Sequence, residues 1–96
     1  MAYAIVHFFP GGTAAQYEAS LRAVHPDGGK GLPEGQIFHM GGASEGGWTI
    51  VAVHESKASW EKFRDAILGP ALGKGVPGGF TAPPEERTSE THKLER

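Results

Sequence analysis

Cysteine is absent from all 96 residues. That excludes disulfides, thiolate nucleophiles and thiolate metal ligands together, and it suits a reducing compartment. Charge of one sign is also missing: nine Lys and Arg stand against eleven Asp and Glu, a formal net charge of -2. A balance this even gives neither nucleic acid nor an anionic membrane surface anything to hold. No apolar run approaches the roughly 20 residues that span a bilayer. Nor does the start of the chain carry the basic stretch, apolar run and cleavage site of a signal peptide. A cytoplasmic protein with no membrane and no nucleic-acid partner is the expectation. Hydrophobic residues at 39% and charged residues at 21% describe a single globular domain with little core to spare.

What the chain does have is strand-forming sequence of unusual density. Gly47 to Ser56 reads Gly-Trp-Thr-Ile-Val-Ala-Val-His-Glu-Ser, β-branched and aromatic residues between a glycine pair and a capping serine. Alternation puts Trp48, Ile50, Ala52 and His54 on one face and Thr49, Val51, Val53 and Glu55 on the other. Both faces are largely apolar, so this is a central strand covered on both sides. Ala2 to Phe9 alternates in the same way, with Tyr3, Ile5, His7 and Phe9 on one face, and Pro10-Gly11-Gly12 stops it. Thr13 with Gln16 has capping-box spacing, and Ala14, Tyr17, Leu21 and Val24 form the stripe of a helix that ends at His25-Pro26. Asp27 to Gly35 is loop. A strand follows over Gln36 to Met40, then a long glycine-rich turn from Gly41 to Gly47. Ser56 caps a second helix, Lys57 to Leu68, with Trp60, Phe63 and Ile67 buried and Gly69-Pro70 closing it. Ala71 to Pro84 is loop, and residues 85–96 form a polar edge strand or tail beside the domain of residues 1–84.

Strand, helix, strand, strand, helix, weak strand is the split βαβ plan of a ferredoxin-like α+β fold. It predicts a four-stranded antiparallel sheet with two helices on one face. The other face would then be open and apolar, and a second copy of the chain is the simplest cover for it.

The run His7-Phe8-Phe9-Pro10-Gly11-Gly12-Thr13, with Gln16-Tyr17 and His25-Pro26, resembles small proteins of the dimeric α+β barrel superfamily. Leu32 to His39, the Gly47-Trp48 strand and Phe63 to Leu72 continue the resemblance, which covers about residues 2 to 80. The superfamily includes antibiotic-biosynthesis-monooxygenase-like proteins, haem-degrading enzymes, muconolactone isomerases and polyketide-type cyclases. The resemblance implies a homodimer dimerising into an α+β barrel around a cavity. It implies no single chemistry. The polar last strand departs from the pattern.

Five histidines, His7, His25, His39, His54 and His92, are many for this length. Val51 and Val53 suit packing against helices, which would turn Trp48, Ile50 and His54 toward a cavity on the far side of the sheet. The same alternation aims His7 there, with His39 beside it. Imidazole moves protons near neutral pH, so His7, His39 and His54 are the candidate catalytic residues. Tyr3, Ile5, Trp48 and Ile50 would hold the substrate. Each histidine can equally be a hydrogen-bonded structural residue, and His25 reads as a helix end whose charge complements the dipole. Three imidazoles and a water would suit zinc, but the short spacings that mark such sites are missing, so neither metal nor any other cofactor is expected. Haem ligation is no better supported. The expected function is binding of a hydrophobic or aromatic metabolite, with oxygenation, isomerisation or cyclisation by histidine acid–base chemistry. The alternative is a ligand-binding or structural dimer without turnover.

Overall fold

The computed structural model describes residues 1–95. Strand β1 spans Tyr3–Pro10, β2 Gln36–Ser44, β3 Gly47–His54 and β4 Glu85–Glu90, arranged antiparallel in the order β2-β3-β1-β4. Helix α1, Ala14–Val24, crosses from β1 to β2, and the helical run from Lys57 to Lys74 crosses from β3 toward β4. This is the expected α+β plan, with β3 inside the sheet. The polar segment at residues 85–90 pairs with β1 as an exposed edge strand.

Local chemistry explains most of the element boundaries. Thr13 Oγ1 accepts the Gln16 N–H at 3.2 Å while Gln16 Oε1 accepts the Thr13 N–H at 3.0 Å, so the capping box closes in both directions. Ser56 Oγ accepts the Ser59 N–H at 3.0 Å and starts α2, Lys57–Phe63. Two boundaries differ from the sequence reading. β2 does not stop at Met40 but runs to Ser44 and turns tightly at Glu45 and Gly46 into β3, because its glycines are tolerated in a strand paired along its whole length. Nor does Gly69-Pro70 end the second helix. The backbone stays helical through a π turn at Arg64–Leu68 into α3, Gly69–Lys74. Pro70 lacks an N–H and its ring crowds the carbonyl four residues back, a conflict the wider π turn just before it accommodates. Gly69 permits that turn, since a Cβ there would lie 2.9 Å from the Arg64 carbonyl oxygen.

The π turn also corrects the buried stripe. One inserted residue rotates everything after it, so Ile67 is 42% exposed and Leu68 packs against the core instead. Ala14, expected on the α1 stripe, is likewise exposed, while Tyr17 is buried.

The helices lie over Tyr3, Ile5, His7 and Phe9 of β1 and over Trp48, Ile50, Ala52 and His54 of β3. Ile5 packs with Trp60 and Phe63 of α2, and these β1 and β3 residues are cross-strand neighbours. Alternation with helix-packing valines predicts Val51 and Val53 under the helices, and the structure reverses this. Valines fit either face of a sheet, whereas His54 finds a polar partner only on the side where α2 brings Ser59. The face away from the helices carries Ala4, Val6 and Phe8 of β1 with Thr49, Val51 and the buried Val53 of β3, and the exposed Phe38 and Met40 of β2 continue it. No helix among the described residues is long and apolar enough to cross a membrane.

Candidate functional site

Between sheet and helices lies a cavity of about 70 Å³. Its walls are mostly apolar, Ile5, Phe9, Ile50, Ala52 and Phe63 among them. Phe80 stacks on Phe9 with ring centroids 3.7 Å apart and closes one end. Leu72 both lines the cavity and is 42% exposed, so the mouth lies at α3. The polar lining is His7, Tyr17, Ser20, His25, Gln36 and His39.

Four of these side chains are placed by features that act together. Tyr17 comes from the buried stripe of α1, and its ring rests on Gly41 of β2, where a Cβ would stand 2.5 Å from the ring. Any larger residue at 41 would push the phenol away. A bulge in β2 changes the pairing between Gln36 and Phe38, so Gln36 opposes His54 while Phe38 opposes Val53. Strict alternation would send Gln36 and His39 to opposite faces; the extra residue turns both toward the helices. His25 caps the C-terminus of α1, its backbone N–H reaching the Leu21 carbonyl at 2.8 Å. Its Nδ1–H donates to the Gly31 carbonyl at 3.1 Å, which fixes the ring 4.6 Å from that of His39.

A continuous hydrogen-bonded chain results. The Tyr17 hydroxyl donates to His39 Nε2 at 2.7 Å, and His39 Nδ1–H donates to Gln36 Oε1 at 3.0 Å. Gln36 Nε2 donates to His54 Nε2 at 3.2 Å, and His54 Nδ1–H donates to Ser59 Oγ at 2.9 Å. His54 has no solvent exposure and Gln36 only 6%, so every ring and amide atom in the middle needs these partners.

Burial sets the charge states. Desolvation, and then the neighbouring His25, lower the His39 pKa to about 4. The same two causes in the same order lower that of His54. His25 is lowered by burial despite its backbone hydrogen bond, so it is a neutral helix end and not the charged one expected. Tyr17 is raised, by burial first and Glu18 second, which keeps it a phenol. At neutral pH the site is therefore a phenol donating to an uncharged imidazole in an apolar pocket. On the opposite wall, His7 Nε2–H donates to Glu86 of β4 at 2.8 Å. The Ser20 hydroxyl oxygen is buried at the cavity without a partner.

Of the expected catalytic residues, His7 and His39 line this cavity and His54 stands behind it. Of the expected substrate-holding residues, Ile5 and Ile50 line it. Tyr3 packs against the core cluster and Trp48 against Tyr17, ring centroids 5.1 Å apart. The cavity sits under the helices and not on the far side of the sheet. Tyr17, Gln36 and Ser59 were missed. The only signal for Tyr17 was its stripe position; for Gln36 it was an amide in a strand beside a histidine. Among the described residues no three His, Asp or Glu side chains are grouped to hold a metal ion.

No family model matches the chain, and no curated protein matches it significantly. The class the fold defines is the small α+β sandwich of one antiparallel sheet and a layer of helices. A solved structure of that class, Rv0793 from Mycobacterium tuberculosis, is similar over the whole of both chains, with a TM-score of 0.69 at 15% identity. At that identity the likeness concerns the fold.

Proposed function

We propose that the protein binds a small hydrophobic or aromatic molecule in the cavity between sheet and helices, and that Tyr17 and His39 move a proton on it. The observation that carries this reading is the 2.7 Å hydrogen bond from the Tyr17 phenol to an imidazole kept neutral in an apolar pocket. A ligand C–H or O–H would give its proton to the Tyr17 oxygen as the phenol proton passes to His39 Nε2. The ligand becomes an anion and His39 an imidazolium, whose Nδ1–H is already held by Gln36. The anion beside it would favour that imidazolium, offsetting the burial that disfavours it in the empty pocket. Such a step is common to oxygenation, isomerisation and cyclisation without a bound cofactor. His7 and the unpartnered Ser20 hydroxyl would hold polar groups of the ligand.

The cavity is small beside the several hundred Å³ of typical drug-sized sites, so a single ring is the fitting size. The same smallness supports the second reading, a binding or structural protein without turnover. Titration with phenol, followed by tryptophan fluorescence, tests occupancy: saturable binding is expected, and its absence would defeat both ligand readings. Deuterium exchange at the α-carbon of cyclohexanone tests the proton step. Acceleration by the wild type, lost in Tyr17→Phe, supports it; no acceleration leaves the non-catalytic reading.

We also propose that a second copy covers the open sheet face. Val6, Phe38 and Met40 there are 37%, 39% and 42% exposed, and contiguous apolar surface on one face of a sheet calls for a partner.

A further inference from the structure

We infer that Gln36, His54 and Ser59 are positioning residues that hold His39 as its Nδ1–H tautomer, so that the Nε2 lone pair faces Tyr17 and the cavity. The inference rests on the reading of Tyr17 and His39 as the proton-handling pair, and it deepens it. A glutamine amide is asymmetric, one end accepting and the other donating. With its oxygen 3.0 Å from His39 Nδ1 and its nitrogen 3.2 Å from His54 Nε2, it makes His39 donate and His54 accept. His54, neutral and fully buried, must then carry its proton on Nδ1, and the Ser59 oxygen 2.9 Å away receives it. One choice therefore fixes both rings.

The two ends of the chain select that choice over its reverse. Reversed, His39 Nε2–H would donate to Tyr17, and the phenol proton would lose the acceptor it has in the observed direction. In the observed direction the phenol proton is used. At the far end Ser59 also borders a separate surface groove of about 360 Å³ beside Gly35, Glu55 and Lys62. As acceptor it keeps its own proton free to meet water there. His54 is thus a device for passing a preference from a solvated serine to a histidine it never touches. The aromatic rings of Trp60 and Phe63, with centroids 5.8 and 5.6 Å from that of His54, keep water away from the link.

Long-range proton–nitrogen correlation spectra of the ¹⁵N-histidine-labelled protein at pH 7 read the tautomers without any ligand. His39 and His54 should each show a protonated Nδ1 and a bare Nε2. An Nε2–H form of His39 overturns the inference. In Gln36→Leu, His39 should become a tautomer mixture; a folded variant that keeps pure Nδ1–H also overturns it. Should that variant not fold, Gln36→Glu preserves the shape. Its carboxylate accepts from both rings, so His54 should gain a proton on Nε2, and an unchanged His54 would count against the lock. Failure of phenol binding with the expected tautomers would instead sink the proposed function and leave the lock standing.

Discussion

His39 is the residue at which the fold's polar interior meets acid. Its folded pKa of about 4 lies below the 6.5 of a free imidazole, so between those values the unfolded chain binds the proton that the folded one refuses. Stability from this ring is fully present above pH 6.5, declines as pH falls, and is gone below about 4. The shifts of His54 and His25 run in the same direction and steepen the loss. We expect the melting temperature to fall steadily from pH 6.5 to 4, and His39→Gln to flatten part of that fall. For His39 alone the effect should be about 2 kcal/mol once the water reaching a half-buried ring is allowed for. A melting temperature level across the range would mean that the histidines titrate as if solvated. That His39 and His7 turn inward could be read from polar residues set in apolar strands. Their partners could not, because the bulge that turns Gln36 and His39 the same way leaves no mark in residue types.

At the scale of elements, the helical run from Lys57 to Lys74 tests how a single extra residue is used. If the π turn at Arg64–Leu68 sets the facing, Leu68→Ala should cost about 2 kcal/mol or more in denaturant unfolding, since Leu68 packs on the core. Ile67→Ala should cost under about 0.5 kcal/mol, the usual scale for surface positions. The reverse order would restore the regular α stripe. The sequence states both helix starts clearly, as serine and threonine caps whose hydrogen bonds all form. Ends are harder to read. Gly69-Pro70 looks like a stop because proline breaks an α-helix, yet a neighbouring turn that is not α removes the conflict. The length of strand β2 is hidden for a related reason: Gly41 and Gly42 have poor strand propensity, and only pairing with Ile50 and Thr49 along β3 keeps them in the sheet.

For the whole molecule, the open sheet face makes the first prediction. Sedimentation at micromolar concentration should give twice the 10.2 kDa chain mass, and Phe38→Lys with Met40→Lys should give one chain without unfolding it. A wild-type monomer would remove the second copy from the account. The other prediction concerns β4, whose six residues are all exposed. Hydrogen exchange should find its amides opening first, ahead of those between β1 and β3. Tyr3 pairs with Glu90 across almost the whole chain, whereas it meets His54 across little more than half of it. The longer closure gains little burial in return, so β4 is expected to join the sheet after β1 and β3 have paired. Glu86, the carboxylate that His7 leans on, would therefore be held by the strand expected to arrive last and leave first. Each time that edge frays, one wall of the cavity changes its electrostatics while the Tyr17–His39 wall stays as it was.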